Sequence, residues 1–112
     1  MLDKINDRIE KLIDKDHKIG HSYFISIDSM NGLQHVFKDK VIPLLEEYFF
    51  GDFGKIGLVL GNSFVKKEVS EFEFAKFEEY DSQTEQDLKQ RAVYLIKPIE
   101  DWDFKSVYEA RT

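Results

Sequence analysis

Residues 55–65 read "KIGLVLGNSFV", a β-branched and aliphatic run set between glycines. That composition predicts a strand, and it marks where the chain changes character. Downstream, "EFEFAKF" (71–77) alternates charge with aromatics, as a strand buried on one face would, so its phenylalanines are expected in the core. "AVYLIKP" (92–98) is the clearest strand of the second half and ends at Pro98. Residues 78–91, "EEYDSQTEQDLKQR", are polar and form a loop or a short surface helix. Asp101 or Asp103 then caps a short final helix with Phe104, Val107 and Tyr108 facing inward.

Upstream the pattern is helical. Leu2, Ile5, Ile9, Leu12 and Ile13 recur at three- and four-residue steps and share one helix face. Asp3, Lys4, Asp7, Arg8, Glu10 and Lys11 fall on the wet face, with Asp7 and Lys11 favourably spaced. This apolar stripe starts at Leu2 without a lead-in, which suggests a chain cut from something longer. Gly20 is placed to stop the helix in the left-handed conformation. "HSYFISIDS" (21–29) reads as extended. Asn31, with Gln34 three residues on, is expected to cap a second helix carrying Leu33, Phe37, Val41, Leu44, Leu45 and Tyr48. Pro43 should kink or restart that helix, and Gly51 should close it. Helices first and strands after predict an α+β fold: N-terminal helices, a small β-rich part, and a short C-terminal helix. The division falls at residues 1–61 and 62–112, packed as one unit.

Composition narrows the function. The chain has 112 residues, 42% hydrophobic and 14% aromatic, with ten phenylalanines to carry burial. A net charge of −6 disfavours unaided binding to a phosphate backbone. With no cysteine, disulfides and thiolate metal sites are excluded. The charged N-terminus has no signal-peptide core, and no run approaches the roughly 18 apolar residues of a membrane span. A cytoplasmic location is the expectation.

"IGHSYF" (19–24) is the segment most suggestive of chemistry. His21 and Ser22 are neighbours, but adjacent side chains in an extended chain point to opposite faces, and no G-x-S-x-G elbow is present. His17 and His21 have helical metal-pair spacing, yet Gly20 intervenes and His35 is the only other histidine. A metal-dependent enzyme around them is the weakest reading. Phosphate-cradling glycine motifs are absent, and the carboxylates are scattered over solvated faces. The aromatics of 72–77 are interleaved mainly with glutamate, which suits a core better than a base-stacking platform. No self-sufficient active site is legible, so no catalytic or metal residue is assigned.

"INDRIEKLIDKDHKIGHSYF", then "VIPLLEEYFFGD" and "KIGLVLG", together resemble the C-terminal end of the AAA+ domain of McrB-type proteins. These are GTP-dependent motor subunits of 5-methylcytosine-directed restriction systems. The resemblance covers residues 5–61; residues 62–112 correspond to a variable extension. It implies a lid, with the Walker motifs, signature asparagine region and arginine fingers lying upstream of Leu2. It also implies that Gly20, His21 and Ser22 lie near the nucleotide, Gly20 allowing close backbone approach. No cofactor is assigned to this chain; GTP or ATP with magnesium would belong to the full-length parent. The implied partners are the remainder of the AAA+ chain, neighbouring ring subunits and a McrC-like nuclease subunit, with DNA met only through the whole enzyme. The rival reading is a stand-alone protein–protein interaction module, docking through a stripe of Leu2, Ile5 and Ile9 or through the aromatics of 72–77.

Overall fold

A computed structural model describes residues 1–20, 22, 24, 27–68 and 73–109. The expected helix at the N-terminus, α1, runs Leu2–Leu12. Its three- and four-residue spacing turns Ile5 and Ile9 fully into the core. The helix does not stop at Gly20: it ends at Leu12, and Asp14 caps a single 3-10 turn, Lys15–His17. Positive φ among the described residues occurs at Phe50, Gly51 and Gly61, so Gly20 needs no left-handed backbone. Of the extended stretch expected over 21–29, residues 21, 23, 25 and 26 lie outside the described residues; the other five belong to no strand.

The second helix begins two residues before the expected Asn31. Ser29 is its cap, accepting a hydrogen bond from the Gly32 N–H at 3.1 Å. From there α2 (Met30–Val36) passes through a π-helical turn, Phe37–Val41, into α3 (Ile42–Tyr48). Pro43 explains the wide turn. It has no N–H to give the Asp39 carbonyl, and its ring crowds that carbonyl; widening the backbone relieves both. Phe37, Val41, Ile42 and Leu45 are buried along this rod.

At the end of α3 the chain takes two left-handed residues in succession, Phe50 (φ 53°) and Gly51 (φ 77°). Glycine is at ease there; a phenylalanine is not. The Phe50 side chain is 96% exposed, so no packing in this chain offsets the strain. Phe50→Gly should therefore stabilise the chain by up to about 1 kcal/mol, read from the urea midpoint at constant slope. A loss of stability would mean the ring holds this corner together.

Residues 55–61 are the main departure from the sequence reading: they form a helix, α4 (Phe53–Leu60), and no strand. Asp52 caps it by accepting from the Lys55 N–H. The burial pattern shows why the helix wins. A strand would bury Ile56, Leu58 and Leu60 together, whereas the core takes Ile56, Val59 and Leu60 and leaves Leu58 58% exposed. Gly57 lets the next segment press close, since a Cβ there would lie 3.4 Å from the Val65 Cβ.

The two-stranded antiparallel sheet pairs β1 (Val65–Glu68) with the expected β2 (Val93–Ile96), in the register Val65↔Ile96 through Glu68↔Val93. Between them, residues 73–77 form no strand, and Phe74 and Phe77 are 43% and 62% exposed. The expectation of a core aromatic strand fails there because alternation alone supplies no partner strand; Phe72 lies outside the described residues. The surface helix alternative holds for 82–89, where α5 (Ser82–Lys89) is capped by Asp81 and has no buried residue. Asp103 caps the last helical turn, which is 3-10 (Phe104–Tyr108); Phe104 and Val107 point in and Tyr108 points out.

The core is shared by both parts of the chain. Phe64, Phe104 and Val107 are buried with Ile5, Ile9, Phe37, Val41, Leu45, Ile56, Val59 and Leu60 in one cluster. The architecture is α+β, helices leading and a small hairpin following. No helix among the described residues is long and apolar enough to cross a membrane.

Candidate functional site

The turn leading to Gly20 is built from α1. The Asn6 amide lies alongside the backbone of Ile19: its Oδ1 accepts from the Ile19 N–H at 2.6 Å and its Nδ2 donates to the Ile19 carbonyl at 3.0 Å. One side chain thus satisfies both groups of a buried residue, as a neighbouring strand would. Asp14 gathers the other side, accepting from the Asp16 and His17 backbone N–H groups and standing 2.6 Å from His17 Nδ1. The His17 hydrogen bond is the main reason the Asp14 carboxyl is held below the usual carboxylate range. The His17 ring also meets Tyr48 edge-on at 4.9 Å, tying the turn to α3.

What this scaffold presents is partly visible. Gly20 and Ser22 are exposed, and a Cβ on Gly20 would sit 3.9 Å from Ser22 Oγ, an ordinary contact. Among the described residues nothing therefore requires glycine at position 20. His21 lies outside the described residues. His17, half-buried against Asp14 and Tyr48, has a structural partner set, and no group of three potential metal ligands occurs among the described residues.

The docking stripe expected on α1 is corrected. Ile5 and Ile9 have no exposed surface because α4 and the C-terminal turn cover them, and Leu2 is half-buried against the same core. A helix whose apolar face fills its own core has no such face left to offer.

A second feature went unread in the sequence because its residues are far apart. A half-open groove of about 840 Å³ lies where α1, α4 and the hairpin meet, lined among others by Arg8, Lys55, Leu58, Lys67 and Tyr94. Arg8 is placed in its wall by hydrogen bonds to the carbonyls of Val59 (2.7 Å) and Glu109 (3.3 Å). Val59 is in the last turn of α4, where carbonyls lack intrahelical donors and the helix dipole favours a cation. Both acceptors are neutral, so the guanidinium charge is not cancelled. Asp52 and Glu109 also line the groove, but the Asp52 carboxylate is occupied in capping α4. Among the described residues neither Lys55 nor Lys67 has an ion-pair partner within 4 Å.

A loop–turn clasp closes the far end. Ser63 Oγ accepts from the Asp103 N–H, donates to the Asp103 carbonyl, and lies 2.8 Å from Ser106 Oγ. Ser106 in turn donates to the Leu60 carbonyl at the end of α4. The last described residues are thereby locked onto the helices that precede them.

These features define a helical packing subdomain, with a shaped turn at one place and an open, basic-edged groove at another. Residues 1–57 match the family described as McrB, alpha-helical lid domain. The match spans just over half of the 112 residues, and the chain belongs to that family. No curated protein and no solved structure matches it significantly. Membership gives the chain a McrB-like AAA+ context and implies association with the rest of such a chain. The match ends inside α4, so the hairpin, α5 and the C-terminal turn lie beyond it.

Proposed function

We propose that this chain is the lid of a McrB-like AAA+ NTPase and couples nucleotide state to contacts between ring subunits in a restriction-type motor. The observation that carries the proposal is the lid-family match over residues 1–57, which contains the braced segment Asp14–Ile19 and the Gly20–Ser22 sequence after it. In this reading Gly20, His21 and Ser22 face the nucleotide, with the Asn6 and Asp14 bonds bracing the residues that lead up to them, from Asp16 to Ile19. A lid of this kind works by rotating as a body, so the shared core that makes it one piece suits the task.

Among the described residues no three acidic or histidine side chains converge. In this reading the GTP or ATP, its magnesium and the hydrolytic groups belong to the rest of the AAA+ chain, and no chemical step is given to residues here. Ring neighbours and a McrC-like nuclease subunit are the partners this reading expects, with DNA engaged by the whole assembly.

The test is NTP turnover by the intact motor carrying His21→Ala or Ser22→Ala. Loss of one hydrogen bond to a charged group, worth about 1.5–3 kcal/mol, predicts turnover roughly ten- to a hundred-fold lower with an unchanged melting temperature. Unchanged turnover in both variants would make the turn purely structural.

A further inference from the structure

The connection between the two strands is an arm. Every described residue from Glu73 to Thr84 is exposed, and α5 buries none of its side chains. The molecule measures 56 × 31 × 29 Å with a radius of gyration of 17.0 Å, against about 13 Å for a compact chain of this length. An arm standing off the core accounts for the excess. Its surface is unusual: Phe77 is 62% and Tyr80 46% exposed, their rings 6.2 Å apart, within a stretch rich in acids. Glu78 is already paired with Lys76, but Glu73 and Glu79 have no ion-pair partner among the described residues.

The groove described above has the complementary character. Leu58 and Tyr94 supply exposed apolar and aromatic surface, while Arg8, Lys55 and Lys67, the two lysines without an ion-pair partner among the described residues, outnumber the carboxylates of Asp52 and Glu109 in the same lining. An aromatic pair flanked by carboxylates matches a hydrophobic floor flanked by ammonium groups in both chemistry and sign. We propose that the Glu73–Tyr80 segment of one copy docks in this groove of a second copy, with Phe77 and Tyr80 against Leu58 and Tyr94, and Glu73 and Glu79 toward Lys55 and Lys67. The arm, Leu58, Lys67 and Tyr94 lie beyond the lid-family match while Arg8 and Lys55 lie inside it, and the contact does not depend on the nucleotide reading.

One arm in one groove is a small interface, so weak association is expected, with dissociation constants of roughly 10 µM to 1 mM. Sedimentation equilibrium of the 112-residue chain across that range should show the mass rising above 13.2 kDa at low salt and falling back as salt screens the lysine–glutamate contacts. Lys55→Glu with Lys67→Glu should weaken self-association about ten-fold or more, as should Glu73→Lys with Glu79→Lys, while both variants keep the wild-type circular dichroism. Mixing the two reversed proteins should restore association, because one supplies an acidic groove and the other a basic arm. A strictly monomeric wild type over the whole range would overturn the proposal, including the case in which the arm folds onto its own groove. Association that ignores both reversals, or a mixture that stays monomeric, would overturn it equally.

Discussion

Phe37→Ala should cost this protein about 3–5 kcal/mol, a large part of the roughly 5–15 kcal/mol that holds a domain of this size together. Phe37 has no exposed surface and stands at the start of the π-helical turn. Its ring meets Phe104 edge-on at 4.8 Å, Phe64 at 5.6 Å and Phe24 at 6.3 Å. Truncation removes the aromatic contact area and leaves a cavity that residues on three separate segments would have to collapse to fill. Because Phe64 and Phe104 belong to the second half of the chain, the loss should loosen the hairpin and the C-terminal turn along with the helices. Urea unfolding should show a midpoint lower by about 1–3 M, and Phe37→Leu should recover more than half of it. A loss below about 1 kcal/mol would mean that this cluster is not the centre of the core.

Gly61→Val should be the next most damaging change, at about 3 kcal/mol or more. Gly61 ends α4 at φ 97°, ψ −178°, a region that only glycine enters without strain. A Cβ there would also stand 2.9 Å from the Ser106 carbonyl oxygen and 3.2 Å from its Oγ. Since the obstructing atom is backbone, held by the Ser63–Asp103–Ser106 clasp, it has little room to yield. The expected readout is a lowered thermal midpoint with new proteolytic cleavage after Leu60, where the clasp would open. A stable, protease-resistant variant would show that the C-terminal turn is not locked onto α4 as described.

The two halves of the fold differ in how openly the sequence declares them. Helix α1 is legible because five apolar residues mark one face over more than three turns, a pattern no strand reproduces. Val93–Ile96 is legible because Pro98 and polar neighbours bound a short β-rich run. Residues 55–61 mislead because an unbroken apolar run of that length carries no period; only Asp52, placed to cap, and exposed Leu58 betray the helix. "EFEFAKF" misleads for the opposite reason, having the period of a strand but no neighbouring strand to pair with. At the candidate sites, "IGHSYF" draws attention by its residue types. The bonds that brace the approach to it come instead from Asn6 and Asp14, two polar residues that no sequence motif marks out. The groove is illegible for the same reason: Arg8, Lys55 and Lys67 are brought together by tertiary packing alone.

The central claim is that this lid serves a larger McrB-like motor, and its most direct test is the intact mass of the native polypeptide, blotted from source cells with an antibody raised to this chain. A band several times heavier than 13.2 kDa is expected, large enough to hold an AAA+ body for the lid to close over. A single band at 13.2 kDa would contradict that claim: the chain would then act without a motor of its own, and the basic groove and acidic arm would be its working surfaces.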